Sequence, residues 1–194
     1  MDTAASYFRM LFDAVSNTEV TLEGGLTVSL DHGIADVVKR LEDVRARGDK
    51  VMLIGNGGSA AIASHVQNDL CKSVGVRAMV MSEPPLMMAL ANDDGYETVF
   101  EQQVSLWAQP GDLLIAISSG GRSENILRGV KAAHARGAAV LTFTGFAADN
   151  PLRQLGTTNF YVSAAEYGYV ELSHSALLHL VTDRAASGLE RRSE

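Results

Sequence analysis

Apolar residues follow one spacing in the first quarter of the chain and another in the rest. Up to about residue 48 they recur every three or four positions. Phe8, Met10, Leu11, Phe12 and Val15 make one stripe over about Tyr7–Val20. Ile34, Val37, Val38, Leu41 and Val44 make a second over about Leu30–Arg47. That period predicts two amphipathic helices, and Gly48 stands where a helix C-cap belongs. Both lie outside any strand–helix unit and form an N-terminal helical arm. Their apolar stripes need a surface to cover, and contact between subunits is the expected use.

After residue 50, short apolar runs at 51–55, 77–81, 113–117, 138–144 and 159–163 alternate with helical patterns. The helices are expected at 59–73, 97–107, 123–136 and 169–187, with a short one near 85–91. Runs such as Val51-Met52-Leu53-Ile54 and Leu113-Leu114-Ile115-Ala116-Ile117 are apolar throughout. Continuous runs fit strands buried on both faces of a parallel sheet. Strand–helix alternation with right-handed crossovers then gives a doubly wound α/β fold flanked by helices. The expected organisation is one domain over 1–194, with the arm at 1–48 and the α/β core at 49–187.

The 194 residues suffice for a full core. A net charge of −7 argues against a general nucleic-acid or anionic-membrane binder, whose footprint would be basic. Cys71 is the one cysteine, so no internal disulfide forms, which fits a reducing compartment. It is expected to pack as a small apolar residue, and Met79, Met81, Met87 and Met88 are expected in the core. The opening Met1–Ser6 lacks the basic and apolar regions of a secretory signal. No apolar run approaches the roughly 20 residues that span a bilayer. The expectation is a soluble, cytoplasmic protein with a charged tail at 189–194.

Two glycine/serine turns stand out. Gly55-Asn56-Gly57-Gly58-Ser59 follows the first core strand, and Ser118-Ser119-Gly120-Gly121-Arg122-Ser123 follows the third. Each joins a buried strand to a helix start, where free N–H groups and the positive end of the helix dipole hold anions. Neither matches a dinucleotide fingerprint or a nucleotide phosphate loop. Two in one domain point to a phosphorylated substrate. Asn56 and Ser59 can bond hydroxyls or phosphate, and Ser123 also reads as a helix N-cap. Arg122 either adds charge to the phosphate or faces solvent.

His65 and Asp69 share a helix face at i and i+4, a spacing that suits two ligands of one divalent ion or an acid–base pair. Glu171, His174 and His179 lie on the last, largely apolar helix, where such groups need partners. Glu171 and His179 are eight residues apart, about 12 Å along one helix. That separation suggests that different subunits supply them. Asn92-Asp93-Asp94-Gly95 reads as a turn, with Asp93 also able to bind sugar hydroxyls.

Taken in order and spacing, these residues resemble the sugar isomerase (SIS) domain and, within it, the phosphoheptose isomerases. The resemblance covers about residues 30–185 and also rests on Ala91–Tyr96 and Gly111-Asp112. It implies a five-stranded parallel sheet, a homotetramer with sites at subunit interfaces, and aldose–ketose isomerisation of sedoheptulose 7-phosphate through an enediolate. It implies that Asn56, Gly57, Gly58, Asn92, Asp93, Ser118, Ser119, Gly120, Ser123 and Glu171 bind substrate. It implies one Zn²⁺ held by His65, Asp69, Glu171 and His179, with Asp69 as base and His179 as acid. The family usually carries Glu, Ser and Gln where Asp69, Gly120 and Glu171 stand here. Two other readings stay open: a non-catalytic SIS protein that binds phosphosugars or the replication initiator, and an isomerase of another phosphosugar.

Overall fold

The computed structural model describes residues 3–193, with side chains through Gly188. Met1, Asp2, Glu194 and the side chains of 189–193 lie outside the described residues, and the readings of the opening segment and of the tail fall partly on them. The elements run α1 (Ala4–Ser16), β1 (Glu19–Leu22), β2 (Leu26–Val28), α2 (Leu30–Arg47), β3 (Lys50–Gly55), α3 (Gly58–Asp69), β4 (Arg77–Val80) and α4 (Pro84–Asp94). They continue with α5 (Val99–Trp107), β5 (Leu113–Ser118), α6 (Glu124–Ala135), β6 (Ala139–Thr144), β7 (Thr158–Tyr161) and α7 (Tyr167–Ser193).

The sheet has seven strands in the order β2-β1-β7-β6-β5-β3-β4. The five from β7 to β4 are mutually parallel. Successive side chains of a strand face opposite sides, and here both sides are core. Val51 and Leu53 of β3, with Leu113, Ile115 and Ile117 of β5, meet Ile34, Leu41, Val66, Leu177 and Val181 from α2, α3 and α7. Met52, Ile54, Leu114 and Ala116 meet Phe100, Val104, Ile126 and Val130 from α5 and α6. Two-sided burial is why the strand runs are apolar throughout. Phe143 and Phe160, paired across β6 and β7, stack with centroids 4.8 Å apart.

The arm departs from the sequence reading. α1 stops at Ser16, short of the expected Val20, and Glu19–Val28, between the two expected helices and overlapping the end of the first, forms a hairpin. β1 pairs antiparallel with β7, Val20 opposite Phe160, and so extends the five-stranded sheet to seven. The residues fit: Val20, Thr21, Thr27 and Val28 are β-branched, and Gly24 and Gly25 turn with φ of 79° and 82°. The helical stripe masked this short period-2 segment. The predicted helix at 59–73 ends at Asp69 in a π turn over Leu70–Val74. The helix expected at 97–107 begins as a 3₁₀ turn at Tyr96–Thr98. Cys71 is exposed, and Met88 is 66% exposed while Met81 is buried. Both exposed residues sit on the outward faces of their segments.

The ends of the strands differ in job. At the N-terminal ends, buried Asp112 accepts from Lys50 Nζ (2.5 Å), Lys50 N (3.0 Å) and Gln109 N (2.8 Å), tying β3 to β5. Its charge is fully compensated, so Gly111-Asp112 is architectural. The C-terminal ends carry the two glycine/serine turns, where ligands bind in open α/β sheets.

The hairpin docks on α2 through a close approach. A methyl group on Gly33 would lie 2.5 Å from Cγ1 of buried Val20. Helix propensity favours alanine there by up to about 1 kcal/mol. Overpacking costs about 1–3 kcal/mol and wins. Gly33→Ala should therefore destabilise by roughly 1–2 kcal/mol net. Adding Val20→Ala should lose less than the sum of the two single changes in urea unfolding.

Candidate active site

The first turn is built by backbone. Asn56 O accepts from Ser59 N at 3.0 Å, and Gly57 starts α3 with φ of 53°. In the second turn Gly121 (φ 60°) donates its N–H to Ser118 O at 3.1 Å and Oγ at 3.2 Å. Ser123 occupies the N-cap position of α6, yet its side chain makes no capping bond. Its carbonyl takes Ile126 N and Leu127 N instead. The hydroxyl expected to cap is therefore not spent on the helix.

A cleft of about 490 Å³ lies between the turns. Asn56, Gly57, Gly58, Ser118, Ser119, Gly120, Ser123 and Glu171 line it, together with Ser59, Arg122 and Tyr167. Ser119 Oγ is buried with no hydrogen-bond partner among the described residues. An orphaned hydroxyl beside a helix N-terminus fits an anion. Arg122 pairs with Asp149 at 2.8 Å, both exposed. Gly120 has ordinary φ, and a Cβ there would meet nothing nearer than Phe146 at 3.8 Å. A larger cavity of about 790 Å³ lies at the opposite ends of the strands. Its polar groups are used internally: Arg153 bonds Glu19 (2.6 Å) and His134 bonds the Leu155 carbonyl (2.6 Å).

Asn92 and Asp93 do not line the cleft. They are exposed in the last turn of α4 and bond each other at 2.7 Å. The chain turns only at Gly95, φ 92°. Tyr96 follows it and donates its hydroxyl to Asn56 Oδ1 at 2.9 Å. Asn125 makes a reciprocal amide pair with Asn56, at 2.9 and 3.0 Å. Sequence reasoning passed over Tyr96 and Asn125 as functional residues. A phenol beside an Asn-Asp-Asp-Gly bend was the available signal; Asn125, in an ordinary first helical turn, gave none.

His65, Asp69 and His179 come together within one chain. Asp69 Oδ2 lies 3.5 Å from His65 Nε2 and 3.4 Å from His179 Nδ1. The rings are 4.9 Å apart, and one ligand atom from each residue lies within 4.8 Å of the others. Two imidazoles and a carboxylate this close are a donor set for a divalent ion. Glu171 is not in this group. Its carboxylate lies against Gly58 in the cleft, where a Gly58 Cβ would overlap it. The reason is helical rise: α3 and α7 run in the same direction, Gly58 beside Glu171 and His65 and Asp69 beside His179. Cluster and cleft are thus about 10–12 Å apart. Glu171 and His179 of one chain are held apart, as their eight-residue separation predicts.

Comparison with known proteins shows the family. The family model of the SIS domain matches residues 22–145. The phosphoheptose isomerase of Aquifex aeolicus is 35% identical, with 77% of this chain and 81% of that protein aligned. The one from Thiobacillus denitrificans is 31% identical across 91% of each. The chain belongs to the phosphoheptose isomerase family. A phosphoheptose isomerase structure from Francisella tularensis shares the fold, with a TM-score of 0.80 at 24% identity, covering 94% of this chain and 96% of that one.

One more residue of the isomerase controls α7. His174, one turn beyond Glu171, is fully buried and donates Nε2–H to the Thr144 carbonyl at 3.0 Å. Nδ1 has no partner among the described residues. Burial pushes its pKa down to about 4, so it is neutral in the folded isomerase. Between pH 6.5 and 4 the unfolded chain takes up a proton there and the folded chain does not. Stability is therefore fully present above about 6.5 and falls as pH drops toward 4, by about 3 kcal/mol at most. Chemical unfolding across pH 4–7 should show this loss, and His174→Gln should flatten it. Parallel curves for the two proteins would place the loss elsewhere.

Proposed function

We propose that the enzyme interconverts sedoheptulose 7-phosphate and D-glycero-D-manno-heptose 7-phosphate. The observation that carries this is the shared packing of α3 and α7, which holds a phosphate-type cleft at one level and the His65–Asp69–His179 cluster about two turns further on. That spacing suits a long phosphosugar, with its phosphate at one end and its reactive carbons at the other. The relatives' name, phosphoheptose isomerase, supports a seven-carbon substrate.

Serine hydroxyls and the α6 N-terminus bind the phosphate in this reading, with Ser119 Oγ gaining the partner it lacks. Asp69, 18% exposed and flanked by both imidazoles, removes the C2 proton of the open-chain aldose as electron density moves to O1. A cis-enediolate results. His179 protonates C1, the C2 hydroxyl proton passes to O1, and Asp69 and His179 regain their starting protonation by exchange with solvent. Each such transfer contributes about 10²–10⁴-fold.

His65, Asp69 and His179 would hold a divalent cation, zinc by donor type, with a position left open as catalytic sites require. When bound, the ion would polarise the carbonyl and stabilise developing negative charge. A homotetramer is part of the proposal. Its support is α1, which buries no residue of its own and leaves Phe8 and Phe12 64% and 69% exposed.

Turnover of sedoheptulose 7-phosphate followed by NMR, with metal analysis of the same sample, tests the reading. Asp69→Asn should lower kcat by about 10²–10⁴-fold. His65→Ala should lose both metal and turnover while remaining folded. Glu171→Gln leaves all three cluster donors in place and removes a negative charge from the phosphate cleft. It should keep the metal and lower KM. A folded, metal-loaded wild type that leaves sedoheptulose 7-phosphate unchanged would sink the substrate assignment.

A further inference from the structure

We propose that Asn125 and Tyr96 are positioning residues that act through Asn56, fixing the polarity of its amide and fastening the Pro84–Tyr96 segment to the cleft. The inference takes from the isomerase reading only that Asn56 meets the ligand.

The polarity follows from one backbone group. Ile126 N–H, shared with the Ser123 carbonyl, also donates to Asn125 Oδ1 at 3.0 Å and favours oxygen at that position. Asn56 must then present Nδ2 to it, at 3.0 Å, and Asn125 Nδ2 must donate to Asn56 Oδ1, at 2.9 Å. Tyr96 Oη, also 2.9 Å from Asn56 Oδ1, is left as a donor. Both lone pairs of Asn56 Oδ1 are therefore used, and one Nδ2–H remains. Asn56 can only donate to a ligand, which suits a phosphate or hydroxyl oxygen.

The same three residues join three separate parts of the chain. Asn56 belongs to the β3–α3 turn, Asn125 to the first turn of α6, and Tyr96 to the bend after α4. Asn125 is 3% exposed and rigidly held, whereas Tyr96 is 54% exposed. α4 buries none of its residues. Met87, Leu90 and Ala91 pack partly buried against the core, and the rest of the helix is exposed. The phenol–amide bond ties the 84–96 segment directly to the β3–α3 turn. Asn56 is the hub: an altered Asn125 loosens Tyr96 through the amide oxygen that both bond.

Asn125→Asp and Tyr96→Phe test this, since both are nearly isosteric. The aspartate still accepts from Ile126 N–H but cannot donate to Asn56. The phenylalanine keeps the ring and loses the hydroxyl. Each should raise KM roughly tenfold, the worth of one hydrogen bond, with kcat within about threefold. The double variant should resemble Asn125→Asp alone, because both changes act on one amide. Amide exchange over 84–96 should quicken in both single variants, with unchanged melting midpoints. Multiplying effects in the double variant, or unchanged exchange in Asn125→Asp, would overturn the proposal. If wild type does not turn over sedoheptulose 7-phosphate, the substrate assignment fails on its own. Inorganic phosphate titrations and the exchange measurement still decide the positioning roles.

Discussion

The packing of α3 on α7 sets everything else in place. Ala63 and Val66 of α3 share a buried cluster with Val170, Leu177, Leu178 and Val181 of α7. That apolar seam fixes the relative rise of two helices running the same way. Because it does, Gly58 meets Glu171 at one level, and Asp69 reaches His179 some two turns on. The glycine matters as much as the seam, since any side chain at position 58 would displace the Glu171 carboxylate. His174 anchors the same helix to the end of β6 through the Thr144 carbonyl.

The cleft handles charge by dipoles more than by ions. Among its described lining residues Arg122 supplies a cation, and that cation is engaged by Asp149. Glu171 adds a negative charge beside the α3 N-terminus. A phosphate bound here would be held largely by hydroxyls, N–H groups and helix ends. These groups are fixed by the fold and need little reorganisation on binding. An acidic protein can in this way bind an anion without a basic surface.

Most of the core was readable because two-sided burial writes itself as uninterrupted apolar runs. Both glycine/serine turns were readable because the backbone needs glycine at Gly57 and Gly121, where φ is positive. The hairpin was missed because Val20 and Val28 sit next to stronger helical stripes, and four-residue strands carry little periodicity. The His65–Asp69 pair was visible at i, i+4, but its joining with His179 inside one chain depends on tertiary packing that no local pattern encodes. Within its own chain Glu171 lies in the cleft, apart from the trio. Asn125 left no trace, since an asparagine in a helical first turn is ordinary until its partner is known.

All three imidazole and carboxylate donors reside in a single polypeptide, brought together by the folding of that polypeptide alone. Capture of a cation by these three donors would therefore depend on tertiary structure alone.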